Sequence, residues 1–231
     1  MSFCTSRDVR EPVKCSVCKQ LGRDHDRTDS PDSLVRGPRT LFEDSYDDFH
    51  FPNYHSQFVP APNTVGNMAL LPLRTKFRGP APAIPDLERD IIDEALYLFK
   101  PLIFFRQYEI KSEADRVLVY LVLYILECLK KLQRCPNKVT ASKELISLAI
   151  GRFDIPGDPG FPCELNSLYA KPKNQNEAET MRAYITQLRQ ELGTRLVEKV
   201  YPNDSSPPSK WWTCFGKRRF LDQTLTPLGA L

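Results

Sequence analysis

An all-α fold is predicted from two features of the chain: apolar residues that recur at helical spacing from residue 90 onward, and one uninterrupted apolar run over residues 117–126 flanked by helix-capping residues. Together they predict five to six helices, with one apolar helix at the centre wrapped by the others. An extended proline-rich arm precedes them.

The elements follow in order. Residues 1–50 carry 8 Lys/Arg against 10 Asp/Glu and lack apolar periodicity, so they read as a disordered extension or as a wrongly predicted first exon. Residues 51–89 form the arm. Seven of the 20 prolines fall between 52 and 85, and proline lacks the amide donor and fixes φ, so this stretch runs extended over a surface. The helical domain is then 90–231. Asp90 caps a first helix with Ile91, Ala95, Leu98 and Phe99 on one face, until Pro101 kinks or ends it. Ser112 and Asp115 make a capping-box pattern ahead of the second helix, which runs to Leu132 before Cys135 and Pro136 stop it. Its first turn is acidic (Glu113, Asp115) and its end basic (Lys130, Lys131, Arg134), as the helix dipole favours. With no polar face it belongs at the centre.

A shorter helix is predicted over 142–150, followed by the rigid turn sequence IPGDPGFP. A long one over 177–200 places Met181, Tyr184, Ile185, Leu188, Leu192 and Leu196 on one stripe, with Arg182, Gln187, Arg189, Glu191 and Glu198 elsewhere. The ending KWWTCFGKRRF reads as a last helix whose rings pack inward.

Composition narrows the function classes. A net charge of +3 is too small to imply polyanion binding by itself, and the ten-residue apolar run is about half the roughly 20 residues a membrane-crossing helix needs. No secretory signal is visible at the start, and seven irregularly spaced cysteines read as free thiols in a reducing compartment. All three histidines lie within the first 55 residues, no phosphate-binding loop or zinc-protease pair occurs, and no cofactor is expected. Carboxylate pairs such as Asp93–Glu94 and Glu177–Glu179 read as solvated helix faces. Cys15 and Cys18 with His25, and Cys4 as a fourth ligand, have a zinc-like spacing, but no second CxxC or CxxxH follows, which favours free thiols. The acidic-aromatic run over 43–49 reads as a solubilising stretch or a docking motif. At the other end, Lys210, Lys217, Arg218 and Arg219 alternate with Trp211, Trp212, Phe215 and Phe220. That pattern supports either a single-stranded nucleic-acid platform or core rings with exposed bases, which face an acidic protein partner in a third reading.

Several blocks resemble a known family. YHSQF from Tyr54, GNMALLPLRTKFRGPAP from Gly66, DIIDEALYLF from Asp90 and FFRQYEIKSEADRVLVY from Phe104 are similar to subunit 3, the small helical subunit, of the actin-related protein 2/3 complex. IPGDPGFP, LYAKP, MRAYITQLRQELGTRLVEKVY and PSKWWTCFGKRRFLDQTL continue the resemblance in the same order. It implies a noncatalytic, cytoplasmic subunit of cortical actin structures that contacts the actin-related protein 3 subunit, the other subunits and the actin filament, and that supports branch nucleation from a mother filament. Nucleic acid is not an expected partner, and no membrane span is expected. Basic residues in two of the blocks, Arg74, Lys76 and Arg78 and then Lys217, Arg218 and Arg219, are the candidate partner contacts. Pro101 departs from the family's usual alanine, Cys163-Glu164 resembles a small insertion, and residues 1–50 precede the point where family members commonly begin.

Overall fold

Where a helix offers water no polar face, its neighbours must supply the cover, and the second helix shows this most fully. A computed structural model describes residues 54–225 apart from 60, 62, 85 and 205. The CxxC pair, His25, Cys4 and the acidic-aromatic run therefore lie outside the described residues. The helices are α1 (Ile91–Leu102), α2 (Glu113–Leu132), α3 (Lys138–Ile150), α4 (Cys163–Asn166), α5 (Gln175–Val200) and α6 (Lys210–Thr213), the last continuing into a 3-10 turn, Cys214–Lys217. The fold is all-α, with a two-residue hairpin in the arm: β1 (Thr64–Val65) and β2 (Met68–Ala69), paired antiparallel.

α2 is the centre. Every residue from Val117 to Leu129 is buried, among them Glu127, and the helix packs against α1, α3, α5, α6 and β2. A 20-residue helix spans about 30 Å. Two of its polar groups find partners on the wrapping elements: the Tyr169 hydroxyl donates to the Arg116 carbonyl at 2.8 Å, and Tyr120 accepts from Arg189 Nε at 2.8 Å. Among the described residues no helix is long and apolar enough to cross a membrane.

The caps explain the boundaries. Asp90 accepts from Ile92 and Asp93 N–H at 3.1 Å, and Ser112 from Asp115 N–H at 3.1 Å. α1 carries Pro101, which has no N–H to donate, in its last turn and ends one residue later, where Ile103 N–H closes the helix on the Phe99 carbonyl at 3.0 Å. α3 starts four residues before the predicted boundary, since Asn137 caps it by accepting from Thr140 N–H at 2.9 Å. α5 likewise starts at Gln175, capped by Asn174.

The predicted stripe of α5 is completely buried, yet so are Gln187, Arg189 and Glu191, which were expected on its outer faces. The reasons are the arm over Gln187, the Tyr120, Tyr124 and Phe153 rings around Arg189, and Arg195, which donates to Glu191. Gln187 Nε2 donates to the Phe77 carbonyl at 3.0 Å and its Oε1 accepts from Ala81 N–H at 3.1 Å, pinning the arm along α5. A side chain at Gly79 would collide with Gln187. The hairpin turn is held at Gly66, whose φ of +61° and contact with Met181 and the Ala170 carbonyl suit glycine alone. At the C-terminal end, Trp212 stacks on Phe99 with ring centres 5.8 Å apart, and Phe215 meets Phe99 edge-on at 5.7 Å. Trp211 departs from the inward packing and is 74% exposed, because adjacent helical residues point about 100° apart and the core takes only one of the pair.

Candidate functional site

Three polar constellations stand out, two closed and one open. The first clasps the start of the arm to α1 and α2. Asp115 accepts from Ser56 N–H at 2.7 Å and Lys111 N–H at 2.9 Å, and its Oδ2 lies 3.0 Å from His55 Nδ1. Glu94 accepts from the Ser56 hydroxyl at 2.8 Å and Gln57 N–H at 2.9 Å. Burial pushes the Glu94 carboxyl above the usual range; the two donors oppose the rise and the nearby Asp115 charge adds to it. Glu94 is therefore a buried anchor rather than part of a solvated face. The arm also brings an imidazole onto the helical domain, which a count of histidines by sequence region does not anticipate.

The second constellation centres on Asp90 and Arg195. Arg195 Nη1 donates to Asp90 Oδ1 at 2.7 Å and Asp93 Oδ1 at 2.9 Å, Nη2 to Asp90 Oδ2 at 2.8 Å and to the Arg74 carbonyl, and Nε to Glu191 Oε1 at 2.8 Å. Burial alone would raise the Asp90 carboxyl, but the Arg195 guanidinium and the backbone donors of Arg74 and Asp93 outweigh it and hold it below its usual value. Arg74, a candidate partner contact, is bound into this network. Its Nη2 donates to Asp93 Oδ2 at 3.0 Å and Nη1 to the Glu88 carbonyl at 3.2 Å.

The other candidate bases fall into two groups. Lys76 and Arg78 are exposed on the arm beside α5, whereas Lys217 is exposed at the end of the 3-10 turn and Arg218 and Arg219 just after it. Arg218 lies over the Phe104 ring, 5.1 Å from its centre. The structure does not gather the six into one patch: Arg74 sits at the N-terminus of α1, and the rings neighbouring Lys217 pack on Phe99 near its other end, about 12 Å along the helix. Of the four C-terminal rings, Trp212 and Phe220 are buried and Phe215 is half-buried, which leaves one face, Trp211, for stacking on a base.

The open constellation is a cleft of about 720 Å³ between α2, α3, α5 and the loop after α3. Glu127 and Arg189 form its floor, and Lys131, Glu144, Arg152 and Asp154 stand around it. Arg189 is enclosed by rings, its guanidinium carbon 4.1 Å from the centre of Phe153 and 4.6 Å from that of Tyr124. Sequence spacing gives no sign of the cleft, because its lining residues lie as far apart in the chain as Glu127 and Leu225.

The described residues contain no group of three or more His, Cys, Asp or Glu able to hold a metal. Burial pushes the Cys128 thiol up to about 12, so it is a packing residue rather than a nucleophile. What the geometry offers is a rigid core, a clasped arm and charged surfaces, the equipment of an interaction protein.

Comparison with known proteins agrees. Residues 51–225 match the family model described as P21-Arc, ARP2/3 complex ARPC3 (21 kDa) subunit. A probable actin-related protein 2/3 complex subunit 3 from Caenorhabditis elegans is 50% identical over 186 residues, covering 78% of this chain and 98% of the relative. The subunit 3 proteins of Schizosaccharomyces pombe and Saccharomyces cerevisiae are 51% and 49% identical, each covering 75% of this chain and 99% of the relative. On the match of its residues 51–225 and the near-complete coverage of these relatives, the chain belongs to the P21-Arc family of ARP2/3 complex ARPC3 subunits.

Proposed function

We propose that this chain is a structural, noncatalytic subunit of an actin-related protein 2/3 complex, placed against the actin-related protein 3 subunit and supporting nucleation of branched filaments from the side of a mother filament. The observation that carries the reading is half identity to the C. elegans relative, named a complex subunit, over 98% of its length. The fold supports it physically. A domain whose central helix is wrapped on all sides, with the arm hydrogen-bonded onto α5 through Tyr184 and Gln187, is stiff enough to hold neighbouring subunits in a fixed relation. Lys76, Arg78, Lys217, Arg218 and Arg219 present cations that suit the acidic surfaces of actin-like proteins, and the site of action is the cortical actin of the cytoplasm.

The test is a branching assay with complex reconstituted with and without the full-length chain. Counting branches per length of mother filament should show a loss without it and recovery when it is added back. An unchanged count without the chain would contradict the reading.

A further inference from the structure

Buried polar atoms in native proteins almost always have hydrogen-bond partners, so an exception calls for a reason. Among the described residues Glu127 is such an exception. It is 2% exposed, lies on the floor of the cleft, and its Oε1 has no hydrogen-bond partner. Its fellow floor residue brings an opposing charge but no hydrogen bond to that oxygen: Arg189 interacts with Glu127 electrostatically, yet it spends Nε on the Tyr120 hydroxyl and packs its guanidinium against Phe153 and Tyr124. The missing element is a donor to Oε1, and a cationic donor also meets the Glu144 and Asp154 carboxylates that line the same cleft.

The helix that walls the cleft carries a second, independent signal. α3 presents three faces. Ala141, Leu145 and Ala149 enter the core, and Glu144, Ser147 and Leu148 look into the cleft. Along the remaining side Val139, Ile146 and Ile150 are 60%, 51% and 62% exposed. Spaced i, i+7 and i+11, they form one stripe about 16 Å long. Such a row of β-branched side chains next to a deep charged cleft is the pattern of a protein interface, an apolar strip with a polar pocket for an anchor.

We infer that α3 and the adjoining cleft dock a neighbouring protein of the complex, which lays an apolar ridge along Val139, Ile146 and Ile150 and inserts one lysine or arginine side chain over Glu127. The inference rests on the complex-subunit reading. Leu148, Phe153 and Pro159 line the cleft and take the aliphatic stem of the inserted side chain, while Glu144 and Asp154 attract its charge. Lys131 and Arg152 beside the entrance reject a segment with several adjacent bases, so the partner's anchor is an isolated cation flanked by apolar or acidic residues.

Hydroxyl-radical footprinting of the full-length chain, free and in the purified complex, tests this together with two variants, Glu127→Gln and the double Ile146→Asp, Ile150→Asp. The stripe is already in water, so the double variant leaves the free fold intact, and Glu127→Gln keeps the side-chain shape; denaturation of the free chains checks both. Expected are labelling of Ile146 and Ile150 reduced at least fivefold in the complex, and incorporation weakened about tenfold or more by each variant. Labelling as strong in the complex as in the free chain would overturn the inference and leave the subunit reading standing. So would protection of the stripe with Glu127→Gln incorporated as well as the wild type, because the cation would then be absent. If the wild-type chain enters no complex, both fall.

Discussion

The Asp90–Arg195 network and the Glu127 cleft are both built from charged side chains on the same helical framework, and they resolve their charges in opposite ways. Around Arg195 the guanidinium meets the carboxylates of Asp90, Asp93 and Glu191 and the Arg74 carbonyl, all within the chain. Around Glu127 no such closure occurs, and the apolar stripe of α3 beside it is left in water. The difference separates charge that holds the arm to the helices from charge held ready for a second molecule. Completeness of hydrogen bonding distinguishes the two better than burial does, since Asp90 and Glu127 are both buried.

The largest effect that could break this comparison is loss of Arg195. Arg195→Ala leaves the buried Asp90 carboxylate without its cation and should cost about 3–5 kcal/mol, read from urea denaturation, whereas Arg152→Ala at the cleft rim should change stability by less than about 0.5 kcal/mol. Equal costs would dissolve the distinction.

Next in size is the clasp. Glu94→Ala and Asp115→Ala each strand the donors of Ser56, with an expected loss of about 1–3 kcal/mol and faster proteolytic cleavage near residue 57.

Acidity sharpens the contrast further. The Asp90 carboxyl lies below its usual 3.8 in the folded chain, so its contribution is present above that pH and disappears as pH falls through the lowered value. Glu94 has the opposite sign. Its raised carboxyl favours the folded state below the ordinary 4.5 and loses that contribution as pH rises through the folded value. Acid titration of stability should therefore flatten at its low end in Asp90→Asn and lose the opposing Glu94 component in Glu94→Gln. Identical profiles for wild type and Asp90→Asn would show that Arg195 does not hold the carboxyl down.

The smallest effect concerns thiols. Cys163 and Cys214 are exposed and should alkylate within minutes at pH 8, while Cys128, buried and pushed up to about 12, should react only on unfolding.

The sequence made some of this visible and hid the rest for physical reasons. Helical periodicity reports burial against the bulk of the core, so the α5 stripe and the central place of α2 are readable from spacing alone. It is silent on what a thin, irregular strap covers. Gln187 and Arg195 look like surface residues of a helix until the arm, more than 100 residues away in sequence, lies over them. Asp90 is recognisable as a cap but not as the centre of an ion network, because Arg195 differs in no local way from the exposed Arg182. Of the candidate contacts all six are exposed, and Arg74 is in addition tied to Asp93 and the Glu88 carbonyl. The Glu127 cleft had no sequence signal, since a glutamate late in an apolar helix reads as the first solvated residue of its end.

The most direct test of the account is native mass spectrometry of the tagged full-length chain purified gently from its own cells. One copy recovered with both actin-related subunits is the result the account predicts. A monomer, or nucleic acid in place of those subunits, would contradict it.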